Sequence, residues 1–290
     1  MEIKASMVKE LRDKTGAGMM DAKKALVETN GDMEKAVELL RQKGMASADK
    51  KMGRIAAEGT IASAINGKVG AMVEVNCETD FVAKNEDFKE FASMMAKAVL
   101  ELNPSSVDEL LTMTCPVCQK PIEDVIKEKI AKIGEKITIR RFERYNVAGS
   151  VNTYIHNGKI GVMLEVTGDA DETLTKDVCL HIASNAPEFV SREEIPAVVI
   201  EEEKRIEMGK EDLANKPEAI REKIVEGRVN KLMAQRCLLE QQFVKNPDVT
   251  VAQLIEGKCQ IVKFDRYVLG EGLEKRQDNF AEEVMSQIKG

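Results

Sequence analysis

A chain of 290 residues exceeds what one hydrophobic core usually organises, so two or more folding units are expected. With 43% hydrophobic and 32% charged residues, no Trp, 3 Tyr and 8 Phe, the composition points to small-residue cores in a helix-rich protein and excludes an aromatic-rich all-β one. A net charge of -7 with both signs interspersed argues against a nucleic-acid surface, and no run approaches the ~18 apolar residues of a membrane span or the apolar core of a signal peptide, so a cytoplasmic location is expected.

From Ile3 to about Gly44 the spacing predicts three short helices. Ile3, Met7, Val8 and Leu11 mark the first. Beyond the Thr15-Gly16-Ala17-Gly18 turn, Met20, Leu26 and small alanines mark the second. In the third, Asp32 suits an N-cap after the Asn30-Gly31 turn, Met33, Ala36, Val37 and Leu40 share one face, and Gly44 reads as the stop. A unit this small buries little surface and serves either as a docking module or as a packing appendage. Met45 to Glu58, rich in Ala and Lys, reads as a linker or a loose helix.

Next comes an apolar run, Ala71 to Val75, and a helix pattern starting near Glu86. Between them, Thr79-Asp80-Phe81-Val82-Ala83-Lys84-Asn85 is a polar strand-to-helix connection carrying one large aromatic beside a carboxylate. Either Phe81 folds back onto the core, as most Phe residues do, or the connection displays it.

The middle of the chain repeats. Asn66-Gly67-Lys68-Val69-Gly70-Ala71-Met72-Val73-Glu74-Val75 matches Asn157-Gly158-Lys159-Ile160-Gly161-Val162-Met163-Leu164-Glu165-Val166 at an offset of 91. Asn-Gly between β-prone runs is a strong hairpin signal, because both central residues of a type I′ turn need positive φ. Arg141-Phe142-Glu143-Arg144-Tyr145 then matches Lys263-Phe264-Asp265-Arg266-Tyr267 at an offset of 122, each ending an apolar run that suits a third strand. The middle therefore predicts two related α+β halves, each a hairpin, a helical connection and a returning strand.

The offsets differ by 122 minus 91, or 31 residues, so the second half holds an insertion. Residues 192–242 supply it: Pro196 and Pro217 suit helix first turns, and the apolar stripes are narrow, Val199, Ile206 and Leu213 on one side, Ile220, Ile224, Leu232 and Met233 on the other. An antiparallel helical hairpin is expected there. The tail from Leu273 reads as a short amphipathic helix with Phe280, Val284 and Ile288 on one side.

No phosphate-binding Gly-rich motif is present, so no nucleotide or other cofactor is expected on this chain. His156 and His181 are too few for a His-based metal site; His181 lies on an apolar helical face and reads as structural, while His156 precedes the Asn157-Gly158 turn and is either a turn residue or a displayed contact. Cys115-Pro116-Val117-Cys118 invites a zinc or redox reading. No second close Cys pair exists to complete a tetrahedral site, and a reduced surface loop is the plainer alternative.

Several motifs closely resemble the bacterial elongation factor Ts family. They are Thr15 to Leu26 followed by Asn30-Gly31-Asp32, then Glu74 to Lys84, Ala131-Lys132-Ile133-Gly134-Glu135, Tyr154 to Gly161, Pro187-Glu188-Phe189 and Val225-Glu226-Gly227-Arg228. In this order they span almost the whole chain. The resemblance implies an α+β architecture: a three-helix, UBA-like N-terminal module with linker (1–55), a core N-subdomain (56–146), a core C-subdomain (147–272) with the hairpin inserted at about 192–242, and a C-terminal module (273–290). It also implies a guanine nucleotide exchange factor for elongation factor Tu, not an enzyme, binding neither nucleic acid nor membrane.

Under that resemblance Thr79, Asp80, Phe81 and Val82 form the segment that enters the partner's nucleotide domain and dislodges its magnesium ion. Lys23, Ile133 and His156 match further partner contacts. Phe243-Val244-Lys245 matches the segment facing the partner's third domain, with Lys245 standing where the family can carry a Met. The Cys115 to Cys118 insert falls outside the family's pattern. Two other functions remain: a thiol or zinc protein centred on Cys115 and Cys118, and a general protein-docking adaptor using the N-terminal helices.

Overall fold

The computed structural model describes residues 3–274. The chain divides into two compact units, one formed by the chain up to Ala62, Val73–Phe142 and the chain from Val268 on, the other by Ser63–Met72 and Glu143–Tyr267. The amphipathic tail with Phe280, Val284 and Ile288 lies outside the described residues.

In the first unit, helices α1 (Ala5–Thr15), α2 (Met19–Glu28) and α3 (Met33–Lys51) enclose a small core of Val8, Leu11, Ala22, Ala25, Leu26 and Ala36. Gly16, at φ 68, ends α1, and the Asp32 carboxylate accepts from the Lys35 N–H to start α3. α3 does not stop at Gly44. It continues to Lys51, so the first half of the stretch read as a linker or a loose helix is helical and the rest leads irregularly into the first strand. The glycine serves close approach instead: a Cβ there would stand 2.9 Å from the Cβ of Ala131.

Strands β1 (Glu58–Asn66) and β2 (Val69–Cys77) come next, followed by the short helix α4 (Asp80–Lys84), then α5 (Glu86–Leu102), α6 (Val107–Thr112), α7 (Ile122–Ile133) and strand β3 (Ile137–Asn146). The sheet runs in the order β1-β2-β3. α5 buries Phe88, Phe91, Met95 and Val99 along one face, the i, i+3, i+4 stripe expected of a helix lying on a core. α7 ends at Gly134, whose φ of 88 turns the chain into β3.

The second sheet is β4 (Ser150–His156), β5 (Ile160–Gly168) and β8 (Cys259–Val268), in the order β4-β5-β8. β4 and β5 pair antiparallel from Ser150↔Val166 to His156↔Ile160. α8 (Glu172–Asn185) covers this hairpin and buries Leu174, Val178, Cys179 and Ile182 against Val162, Leu164 and Val166. In both sheets the third strand lies beside the second member of the hairpin, and the repeated Arg141–Tyr145 and Lys263–Tyr267 segments fall on those strands.

The two Asn-Gly turns differ. At the second, Asn157 (φ 52) and Gly158 (φ 71) are both left-handed and the Lys159 N–H donates to the His156 carbonyl at 2.9 Å, the type I′ geometry expected. At the first, Asn66 ends β1 and only Gly67 (φ 59) takes positive φ.

Two further helices, α9 (Ala197–Met208) and α10 (Glu218–Arg236), form the insertion, each preceded directly by Pro196 or Pro217. Glu203 meets Arg236 at 3.6 Å and Glu207 meets Arg228 at 3.4 Å, so the pairing order reverses along the two helices and they run antiparallel. Val225, Val229 and Met233, spaced four apart on α10, form the buried seam with Ile195, Leu213 and Cys237. Ile206 and Ile220, expected in the seam, are each 50% exposed. Ile220 lies about 140° around α10 from Val225, and Ile206 occupies the last turn of α9, where Arg228 closes the seam through Glu207 and Asp212. After α10 come β6 (Gln242–Phe243), β7 (Asn246–Thr250) and α11 (Val251–Ile255). No helix among the described residues is long and apolar enough to cross a membrane.

Candidate partner-docking site

α4 is a single helical turn made by two caps. The Thr79 hydroxyl accepts from the Val82 N–H at 3.4 Å, and Asn85, whose side chain accepts from the Asp87 N–H at 2.9 Å, opens α5 before α4 can lengthen. What reads in sequence as an irregular connection is therefore helical. Asp80 pairs with Lys84 at 2.6 Å, an i, i+4 contact that spans the whole turn. No residue of α4 is buried.

Phe81 is 82% exposed. Leaving a Phe ring in water forgoes about 2–3 kcal/mol of transfer free energy, so the reading in which this ring folds back onto its own core is excluded. Val82 beside it is half-buried. The display is firm because the preceding residues are tied down. The Glu135 carboxylate accepts from the backbone N–H groups of Glu78 (3.1 Å) and Thr79 (3.0 Å) and from the Thr79 hydroxyl (2.6 Å). Glu78 in turn accepts from the Lys136 N–H at 2.7 Å and pairs with Arg54 at 3.2 Å. Below them the buried Cys77 thiol donates to the Thr79 carbonyl at 3.2 Å, and burial together with the Glu135 charge pushes its pKa up to about 12, which keeps it an inert neutral thiol.

Ile133 is the half-buried last residue of α7, two positions before Glu135, whose carboxylate binds the Glu78 and Thr79 N–H groups. Lys23 is exposed on α2 of the same unit. His156 and Val244 belong to the other unit. His156 is exposed at the end of β4; its Nδ1 lies 2.9 Å from the Tyr154 hydroxyl and the two rings stand 6.0 Å apart. Val244 is 41% exposed between β6 and β7, and its N–H donates to the Nδ1 of His181 at 3.1 Å. His181 is fully buried, as its apolar helical face suggests, and its Nε2 pairs with Gln241 at 2.8 Å. Lys245 is held by Asp177 at 2.5 Å.

A family model described as Elongation factor TS matches residues 78–271. The chain is also 50% identical over 294 residues to Elongation factor Ts of Alkalilimnicola ehrlichii, an alignment covering 100% of both proteins. The chain belongs to the elongation factor Ts family. Elongation factor Ts proteins are guanine nucleotide exchange factors of translation elongation, acting on elongation factor Tu, and this chain shares that function. The matched residues begin at Glu78, the first residue whose N–H is held by Glu135.

Neither alternative function gains support from these similarities to elongation factor Ts. Both cysteines are free thiols in a turn whose Val117 is 70% exposed, as a reduced surface loop would have it, but Cys115 itself is fully buried and Cys118 half-buried. The Cys115 N–H donates to the Lys120 carbonyl at 2.7 Å, closing a tight turn, and the Cys118 sulfur sits 3.6 Å from that of Met94 on α5. Among the described residues no group of three or more His, Cys, Asp or Glu side chains could hold a metal ion. Glu78 and Glu135 were visible in sequence only as parts of family motifs. Their bonding was not, because the segments lie 56 to 58 positions apart.

Proposed function

We propose that this chain accelerates GDP release from elongation factor Tu by pressing α4 into the partner's nucleotide domain. Thr79, Asp80, Phe81 and Val82 displace the magnesium ion there, while Lys23, Ile133, His156 and Val244 grip other parts of the partner. The single observation that carries this reading is the 82% exposure of Phe81 on a helical turn anchored at its base. Removing magnesium is an efficient use of such a wedge, because the ion neutralises phosphate charge and its loss leaves the nucleotide on protein donors alone.

Exchange of this kind makes and breaks no covalent bond. It is a coupling between two ligands of one protein, nucleotide and exchange factor, and is therefore reciprocal. A roughly 10⁴-fold weakening of nucleotide requires about 5.5 kcal/mol that the factor supplies only when nucleotide is leaving. Burying Phe81 supplies about half of that. The remainder comes from contacts far from the nucleotide, which is why four further residues on separate elements belong to the reading. On this reading residues 1–55 are a docking module, 56–146 and 147–272 are the two halves of the core with the 192–242 hairpin inserted in the second, and 273–290 close the chain; the protein works in the cytoplasm and holds no nucleotide itself.

The test is release of labelled GDP from purified elongation factor Tu, with and without the full chain at substoichiometric amounts. Acceleration with multiple turnovers is the expected result; a release rate unchanged at any concentration overturns the reading.

A further inference from the structure

We infer that Glu135 is a positioning residue for exchange: it fixes the base of α4 so that Phe81 meets the partner already in its working orientation. The inference rests on the proposed role of Phe81 and adds the element that aims it. Three donors converge on one carboxylate, the N–H groups of Glu78 and Thr79 on one oxygen and the Thr79 hydroxyl on the other. The same hydroxyl accepts from Val82 within α4, so Glu135 sets the rotamer of the very residue that caps the displayed turn. The arrangement is reciprocal, because the Glu78 carboxylate accepts from the Lys136 N–H next to Glu135. Each segment's backbone is held by the other's side chain.

Gly134 makes this possible. Its φ of 88 ends α7 and swings Glu135 under the strand end, where a residue with a Cβ is strained. The consequence is functional rather than merely cohesive. α4 buries none of its own residues, so the hydrogen bonds at its amino end, those of the Glu135 carboxylate foremost, carry much of its attachment to the body of the unit. A wedge on a loose base must be ordered at the moment of contact, and that ordering subtracts from the binding energy available to expel nucleotide.

The experiment compares stimulated GDP release from elongation factor Tu for the full-length protein and for Glu135→Ala, Glu135→Gln, Phe81→Ala and the double variant Glu135→Ala/Phe81→Ala. Glu135→Ala should lower the saturating release rate by about 10-fold, the scale of one lost hydrogen bond to a charged acceptor, with affinity for the nucleotide-free partner within about 3-fold of wild type because the other contacts persist. Glu135→Gln, which can still accept from both N–H groups and donate to the Thr79 hydroxyl, should restore most of the rate. In the Phe81→Ala background, Glu135→Ala should add almost nothing, since its effect runs through the ring. Loss of rate in proportion to loss of thermal stability, failure of Gln to rescue, or full additivity in the double variant would each overturn the inference while leaving the role of Phe81 standing. If Phe81→Ala alone leaves release unchanged, it is the wedge reading that fails.

Discussion

The carboxylate of Glu74, fully buried on β2, lies 3.0 Å from the guanidinium of Arg140 and 2.7 Å from that of Arg141, both on β3. It also accepts from the Gly270 N–H at 2.9 Å, so one side chain joins two strands and the returning carboxy-terminal segment of the first unit. Burial alone would raise its pKa, but the Gly270 N–H and the two arginines outweigh burial and hold it below its usual 4.5. Breaking a buried pair from one side strands its partners.

Glu74→Ala should therefore lower unfolding stability by about 3 kcal/mol, the low end for a buried pair because both arginines reach water. The pH dependence has a definite sign. A carboxylate whose folded pKa is depressed contributes fully above 4.5, and the contribution is lost as pH falls through the folded value. Urea midpoints measured from neutral pH into this acid range should fall for the wild type and change less for Glu74→Gln.

Phe81→Ala should reduce stimulated GDP release by about 10-fold or more, on the free-energy scale of a buried ring, while the melting temperature stays within error because the ring touches little of its own fold. A loss near the 3–5 kcal/mol typical of a core Phe would contradict its exposure. His156→Ala should reduce release less, since its ring already leans on Tyr154 and carries only part of one contact. Stopped-flow release with labelled GDP, beside a thermal melt of each variant, separates the two effects.

Local signals in the sequence were reliable where local physics decides. The Asp32 cap, the start of α5 after Asn85 and the Asn157-Gly158 turn all depend on neighbours within a few positions, while the third strands were legible through the internal repeat. Gly44 misled for the opposite reason. A helical glycine is normally a stop signal, but this one answers to Ala131, far along the chain. Ile206 and Ile220 failed as seam residues because the partner helix sets which face is covered. Exposure of Phe81 could not be read from residue type, and the Glu135 bonds join segments that no window spans together.

Gly44→Ala sets helix propensity against packing. Alanine gains about 1 kcal/mol in a helix interior, yet its Cβ would stand 2.9 Å from that of Ala131, and neither atom is the end of a flexible side chain. Separation of α3 from α7 should win, with a net loss of about 1–2 kcal/mol. Pairing it with Ala131→Gly removes the clash and should recover part of that loss in the same urea titration. A stabilised single variant would show that the two helices part freely.

His181 gives a second and separate pH effect in the other unit. Its Nδ1 accepts from the Val244 N–H, so the ring proton sits on Nε2 and donates to Gln241. Burial lowers its pKa below 6.5, the Gln241 bond opposing this only in part. Below 6.5 the unfolded chain takes up a proton that the folded chain refuses, so stability falls as pH drops from 6.5 to the folded value and levels off beneath it. Charging the ring also removes the acceptor of Val244, a proposed partner contact, so the segment between β6 and β7 should loosen over the same range. Histidine ring titration followed by NMR, together with amide exchange at Val244, tests this directly: His181 should titrate below the ordinary 6.5, and Val244 should lose protection as it does. A His181 that titrates at or above the ordinary value, with Val244 still protected, would show that the ring is solvated and the segment held by other contacts.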